Sequence, residues 1–124
     1  GRHRRDFTYI DDIVEGVIRV LDRPARPDSD WNSDHPSPNT SKAPWRIYNI
    51  GNNQPIELME YIAALEGALK RKATLNRLPM QPGDVLDTHA DVKDLVEVFN
   101  YKPVTPVIQG VQHFVDWYKS YFNI

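Results

Sequence analysis

The sequence predicts an α/β fold, and three observations carry that expectation. Four segments repeat apolar residues at intervals of three and four, the spacing that lines one face of a helix. Short runs between them are enriched in aromatic and β-branched residues, as strands are. Strand-like and helix-like segments alternate along the chain, the order expected of an α/β domain.

The first strand is expected at Arg5 to Ile10 (RDFTYI). A helix follows at once, with Ile10, Ile13, Val14, Val17, Ile18 and Leu21 as its stripe. Asp12 and Glu15 have the spacing of a capping box, and Pro24 stops the helix. The neighbouring carboxylates Asp11 and Asp12 are read as favouring the helix dipole. Residues 23–44 then carry five prolines and almost no apolar content. Loops longer than about 12–15 residues tend to be functional or disordered. A mobile surface loop and a pocket-lining loop are both open readings, with Trp31 as the residue able to anchor it.

A second strand is expected at Trp45 to Ile50 (WRIYNI), ending at Gly51-Asn52-Asn53. The second helix runs from Pro55 to about Arg71, Pro55 suiting a first position where no N–H is needed. Leu58, Met59, Ile62, Leu65 and Leu69 form its stripe. A short strand around Ala73 to Leu78 leads into the Pro/Gly-containing segment Leu78 to Val85. Asp91 can cap a third helix whose Val92, Leu95, Val96 and Phe99 face inward. Thr105-Pro106 opens a fourth, with Ile108, Val111, Phe114, Val115, Tyr118 and Phe122 on one side. Tyr118 and its neighbour Trp117 are read as packing residues.

At 124 residues the chain fits one modest domain, able to bury roughly two-thirds of its unfolded surface. Fifteen basic and 17 acidic residues give a net charge of −2, without the basic excess that nucleic-acid binding usually needs. The absence of cysteine excludes disulfides, thiolate metal sites and cysteine nucleophiles. No apolar run approaches the roughly 18 residues of a membrane span, and no signal peptide is visible, so the cytoplasm is the expected location. The chain opens Gly1-Arg2-His3-Arg4-Arg5 without methionine, as a fragment or excised domain does.

Catalytic patterns are wanting. His3, His35, His89 and His113 lie far apart and show no metal-ligand spacing. No glycine-rich phosphate loop occurs, and no tyrosine stands four residues before a lysine. Two places suit an anionic, hydroxyl-rich ligand. Arg4 and Arg5 enter the first strand, where a guanidinium can fork onto phosphate oxygens; a solvated basic terminus is the other reading. Gln81-Pro82-Gly83-Asp84 is a stiff turn offering an amide and a carboxylate, able to accept ribose hydroxyls or to satisfy only its own backbone.

In order, these segments resemble a known family. Arg5 to Ile13 (RDFTYIDDI) resembles the "RDF-x-Y-[VI]-D-D" signature of extended short-chain dehydrogenase/reductases acting on nucleotide sugars. Ile47 to Asn52 resembles their "YN-[LIV]-G" strand, and Leu78 to Val85 with Ala90-Asp91 their "P-x-x-x-GD-V…AD" element. Thr105-Pro106 with its helix is similar to their usual ending. The long loop with Asp30-Trp31, Ala43-Pro44 and Met80 to Val85 are together similar to UDP-glucuronate 4-epimerases, including capsular-polysaccharide enzymes. The resemblance covers essentially the whole chain.

The resemblance implies that residues 1–124 are the C-terminal nucleotide-sugar-binding domain, with the Pro-rich loop at 23–44. The NAD-binding Rossmann domain and the catalytic residues would lie outside it. In such enzymes NAD accepts hydride from C4 of the sugar, a tyrosine removes the hydroxyl proton, and the 4-keto sugar turns over before hydride returns. This implies conversion of UDP-glucuronate to UDP-galacturonate by a homodimeric parent, with no turnover by this chain alone. Carried over by position, Arg5 would contact the diphosphate with Phe7 beside it, Gln81 would lie near the diphosphate, and Asp84 would hold the ribose hydroxyls. Many relatives place arginine where Gln81 stands, which puts more of the diphosphate on Arg5. Thr88 stands where galactose-type relatives often have tyrosine. Asn49 and Gly51 are read as structural. A dehydratase or decarboxylase of the same superfamily and a non-catalytic sugar-nucleotide-binding module stay open as alternatives. Apolar faces meant for a missing domain would be left exposed.

Overall fold

The computed structural model describes residues 3–124. Its elements are β1 (Arg4–Arg5), α1 (Ile10–Leu21), β2 (Ile56–Glu57), α2 (Leu58–Leu69), α3 (Lys93–Phe99) and α4 (Val107–Phe122). The helices form where apolar spacing placed them. β1 and β2 pair antiparallel, Arg4 opposite Glu57 and Arg5 opposite Ile56. On its other side Arg4 makes a parallel bridge to Asp87.

The strand expectations need correction. Only Arg5 of the first run is laddered, in a strand that begins at Arg4, and Ile10 already belongs to α1. Neither 45–50 nor 73–78 carries a ladder, because among the described residues no strand lies beside either. Strand propensity reports a side-chain pattern suited to a half-buried pleat; the ladder itself needs a neighbour to take its N–H and C=O groups. Instead, Ile47 N–H donates to Asn39 O at 3.1 Å, and Ala73 N–H to the Glu66 carboxylate at 2.9 Å.

The expected caps also shift. α1 begins two residues before Asp12, so that carboxylate lies inside the first turn and no side chain caps the helix. Asp12 Oδ2 accepts instead from Val104 N at 3.3 Å and Thr105 N at 2.9 Å, and its carbonyl accepts the Tyr101 hydroxyl at 2.7 Å. The charge still faces the positive helix end while tying α1 to the entry of α4. Glu15, the other half of the expected capping box, pairs with Arg19 at 2.6 Å. Pro55 is not the first residue of α2: pairing of Ile56–Glu57 with β1 takes the positions that propensity would give to the helix. Asp91 does support the start of α3, accepting Lys93 N–H at 3.1 Å.

The core sits where α2 lies against α4. Ala68, Val111 and Val115 are buried, with Tyr61, Ala64, Leu65 and Val107 packed on them. Val92, Leu95 and Pro103 are buried beyond it. Much of the predicted apolar stripe is open. On α1, Ile10 is 61% exposed and Leu21 74%. On α4, Ile108, Phe114, Tyr118 and Phe122, expected inward, are exposed, as is Trp117. Their rings stack along the helix, Trp117 on Tyr121 at 5.4 Å and Tyr118 on Phe122 at 4.6 Å. Periodicity identifies an apolar face without saying what covers it.

Residues 23–44 form neither helix nor strand. They are tied down all the same: Asp28 N–H donates to Ser41 O at 2.9 Å, Thr40 is buried, and the Asn39 amide bonds the Asp94 carboxylate on α3. Trp31, expected as the anchor, donates to Ser37 O inside the loop at 3.2 Å, so Asn39 and Thr40 hold the loop to the body. No helix among the described residues is long and apolar enough to cross a membrane.

Candidate functional site

β1 is a short strand onto which two separate segments close. β2 lies on one side, and on the other Arg4 N–H donates to Leu86 O at 2.9 Å while Thr88 N–H donates to Arg4 O at 3.2 Å. These bonds bring residues 84–88 alongside β1, across about eighty positions of sequence. The segment arrives through a tight turn: Asp84 N–H donates to Gln81 O at 3.2 Å, and Gly83 sits at φ 88°. Pro82 followed by a residue at positive φ is a type II pattern, a conformation glycine adopts without strain.

The turn delivers the Asp84 carboxylate to Arg5. Arg5 Nη2 and Asp84 Oδ1 lie 2.9 Å apart, with side chains 26% and 44% exposed. Arg5 Nη1 donates to Arg4 O at 3.0 Å and to Leu86 O at 3.1 Å. A guanidinium has five N–H groups. Among the described residues three are engaged, and the Nε group and one Nη2 hydrogen have no partner. Arg4, considered beside Arg5 for phosphate, donates to Pro55 O at 3.0 Å and braces β2.

The other sequence-derived candidates divide. Thr88 joins the cluster, its hydroxyl accepting Asp6 N–H at 3.3 Å, with its own O–H proton left to give. Gln81 contributes its carbonyl to the turn. Phe7 turns onto α2, stacking on Tyr61 with centroids 4.1 Å apart. It lines a pocket of about 220 Å³ with Tyr9, Pro106, Val107 and Phe114. Desolvation there pushes the Tyr9 phenol up, with Asp11 adding to the effect. Arg5 and Asp84 thus meet beside β1, Thr88 bonds the neighbouring backbone at Asp6, and Phe7 belongs to the α2–α4 side.

Sequence reasoning gave no role to Asp6, whose carboxylate holds three backbone N–H groups. Its sequence signal is its place beside Arg5 in the RDF motif, which names no role for it, and its partners lie more than forty positions away. Asn49 and Gly51 are structural in the fold. The Asn49 amide donates to Asp91 O at 3.2 Å, and a Cβ on Gly51 would meet Ala90 Cβ at 2.4 Å.

A guanidinium with two free donors, a carboxylate and a hydroxyl close to β1 can bind a phosphate beside vicinal hydroxyls. The described residues do not fit a dinucleotide cofactor. Their sheet has two strands, and none of their loops has the glycine-rich pattern that lets backbone approach a pyrophosphate.

No family model matches the chain. It is 47% identical over 123 residues to Protein CapI of Staphylococcus aureus, covering 99% of this chain and 37% of that protein. It is 41% identical over 124 residues to a probable UDP-glucuronate 4-epimerase of Rhizobium meliloti, covering 99% of this chain and 36% of the relative. Among solved structures it superposes on UDP-glucuronic acid 4-epimerase of Bacillus cereus in complex with UDP-glucuronic acid and NAD. That match has a TM-score of 0.72 and 26% identity, over 98% of this chain and 33% of the other. The chain spans little more than a third of the length of these relatives.

Proposed function

This chain resembles, along its whole length, one part of the UDP-glucuronate 4-epimerases, and from that premise we propose that it is the nucleotide-sugar-binding part of such an enzyme. In the parent, NAD-dependent C4 epimerisation converts UDP-glucuronate to UDP-galacturonate. The chain is the C-terminal domain, the NAD-binding Rossmann domain lies on other sequence, and the parent is a cytoplasmic homodimer serving polysaccharide biosynthesis.

The observation that carries the reading is the meeting of Arg5 with Asp84 at 2.9 Å. The two groups expected to hold a diphosphate and a ribose come from positions 79 residues apart to one exposed spot. Arg5 offers its two remaining N–H groups to the diphosphate, and Asp84 accepts from the ribose hydroxyls. Thr88 adds a hydroxyl beside them. Gln81 is assigned to the rim of the same site, while Phe7 faces the α2–α4 side. Nothing in this set moves hydride or removes a proton. Its work is to anchor the nucleotide while the sugar turns, and that demands several contacts to the part of the substrate that does not react.

The test is an assay for UDP-galacturonate. A protein carrying this segment with an NAD-binding domain is expected to form it from UDP-glucuronate, and Arg5→Ala is expected to raise KM more than it lowers kcat. The 124-residue chain with NAD is expected to show no conversion. Turnover by the chain alone would overturn the division of labour, and a full-length protein inactive on UDP-glucuronate would overturn the substrate.

A further inference from the structure

Arg5 reaches Asp84 from a strand two residues long, too short for its ladder to hold a side chain in register. The residue that follows supplies the hold. Asp6 Oδ2 accepts backbone N–H bonds from Asn53 at 3.1 Å and Ala90 at 3.2 Å, while Oδ1 accepts one from Gln54 at 3.3 Å. Its own N–H donates to Thr88 Oγ1 at 3.3 Å. Three stretches of backbone therefore converge on one side chain: β1, the turn at 51–54, and the segment 84–90.

Gly51 makes that convergence possible. A Cβ there would lie 2.9 Å from Asp6 Oδ2 and 2.4 Å from Ala90 Cβ. Asn53, which presents one of the three donors, sits in the left-handed region at φ 57°. Its side chain also bonds the His89 ring, inside the segment that Asp6 holds. An ionised carboxylate suits the junction because it is an acceptor on every face, and the donors around it are all fixed in backbone. An asparagine there would turn a donor toward at least one N–H and leave that group unpaired.

We propose that Asp6 is the positioning residue of the nucleotide grip. By pinning 84–90 against β1, it keeps Leu86 O and the Asp84 carboxylate where they hold the Arg5 guanidinium, with two N–H groups turned out for phosphate. This rests on the nucleotide-binding reading above. Asp6 touches no ligand itself; it acts through the Arg5–Asp84 pair.

The first arm of the test needs no ligand. In the ¹⁵N-labelled chain the Arg5 Nη–H resonances, which belong to the groups bonded to Asp84 and Leu86, and the Asp84 and Leu86 amides report the pairing. Asp6→Asn is expected to move the Arg5 resonances to the position of solvated arginines and to shift both amides. Asp34→Asn, in the long loop, is expected to leave all of them in place. Circular dichroism checks the fold of each variant. Should Asp6→Asn fail to fold, Thr88→Val, which without ligand removes the acceptor for Asp6 N–H, is expected to give a smaller change in the same direction. Unmoved Arg5 resonances in whichever variant folds would overturn the proposal.

UDP titration is the second arm. Asp6→Asn is expected to weaken UDP binding about tenfold, the loss of roughly one charge-assisted bond. The Arg5→Ala/Asp6→Asn double variant is expected to lose less than the sum of the two single losses, because Asp6 works through the Arg5–Asp84 pair. Additive losses would make Asp6 an independent contributor and sink the idea. If the unaltered chain ignores UDP, the nucleotide-binding reading fails, while the ligand-free arm still decides whether Asp6 positions Arg5.

Discussion

Asp84→Asn separates two effects that the Arg5–Asp84 pair combines. In the free chain Asp84 holds the guanidinium but also offsets the positive charge whose remaining N–H groups a diphosphate must use. The pair is partly exposed, at 26% and 44%, so its attraction is worth about 0.2–1 kcal/mol. Releasing it, and removing one negative charge, is expected to tighten pyrophosphate binding about two- to fivefold. UDP behaves differently because its ribose needs the carboxylate. A hydrogen bond to a charged group contributes about 1.5–3 kcal/mol, so the loss outweighs the release and UDP is expected to bind roughly tenfold more weakly. Isothermal calorimetry at millimolar ligand, pyrophosphate and UDP side by side on both proteins, reads the two signs. The same substitution must help one ligand and hurt the other. Equal changes for both, or an unaltered UDP affinity, would refute the assignment of Asp84 to the ribose.

Further outcomes follow from contacts already described. Gly51→Ala is expected to cost about 1–3 kcal/mol in urea denaturation, because its methyl group meets Ala90 and Asp6 closer than carbon allows; a neutral result would show that the junction yields easily. Tyr101→Phe removes the hydroxyl donating to Asp12 O and is expected to cost about 0.5–1.5 kcal/mol. Burial pushes the Tyr101 phenol up, with Asp12 and Glu15 adding to the effect. A folded value above the unfolded one gives stability that is whole below the unfolded tyrosine value, about 10, and lost as pH rises through the folded one. Stability of the unaltered chain should therefore fall with pH in that alkaline window, and Tyr101→Phe should flatten the fall. The exposed apolar faces of α1 and α4 predict self-association, read by sedimentation; a stable monomer at high concentration, with strongly protected amides, would count against it.

The helices were legible because each carries its own stripe, and local spacing alone reports a helix. Val111 and Val115 landed in the core as their positions required, while Ile108 and Trp117 stayed outside it. The same periodicity describes both outcomes, since covering a face depends on what packs against it. Strands were less legible for a related reason: Trp45 to Ile50 has the composition of a strand and no ladder partner among the described residues. Asp12 shows how a local motif can mislead. Its spacing to Glu15 fits a capping box, yet its bonds go to Val104 and Thr105, some ninety positions away. At the candidate site, Arg5 and Asp84 were identified separately by residue type and family resemblance. Their direct pairing was not readable, because it depends on an 81–84 turn and a register that only the folded chain sets. Asp6 was invisible for the same reason, every one of its partners being remote in sequence.

The central claim is tested most directly by mapping ligand-induced amide shifts on the 124-residue chain, with UDP in one titration and NAD in another. UDP is expected to bind weakly, in the millimolar range near −4 kcal/mol, and to move the resonances of Arg5 and of residues 84–88. NAD is expected to leave them where they are. Shifts centred elsewhere with UDP, or an equal response to NAD at the same residues, would contradict the account.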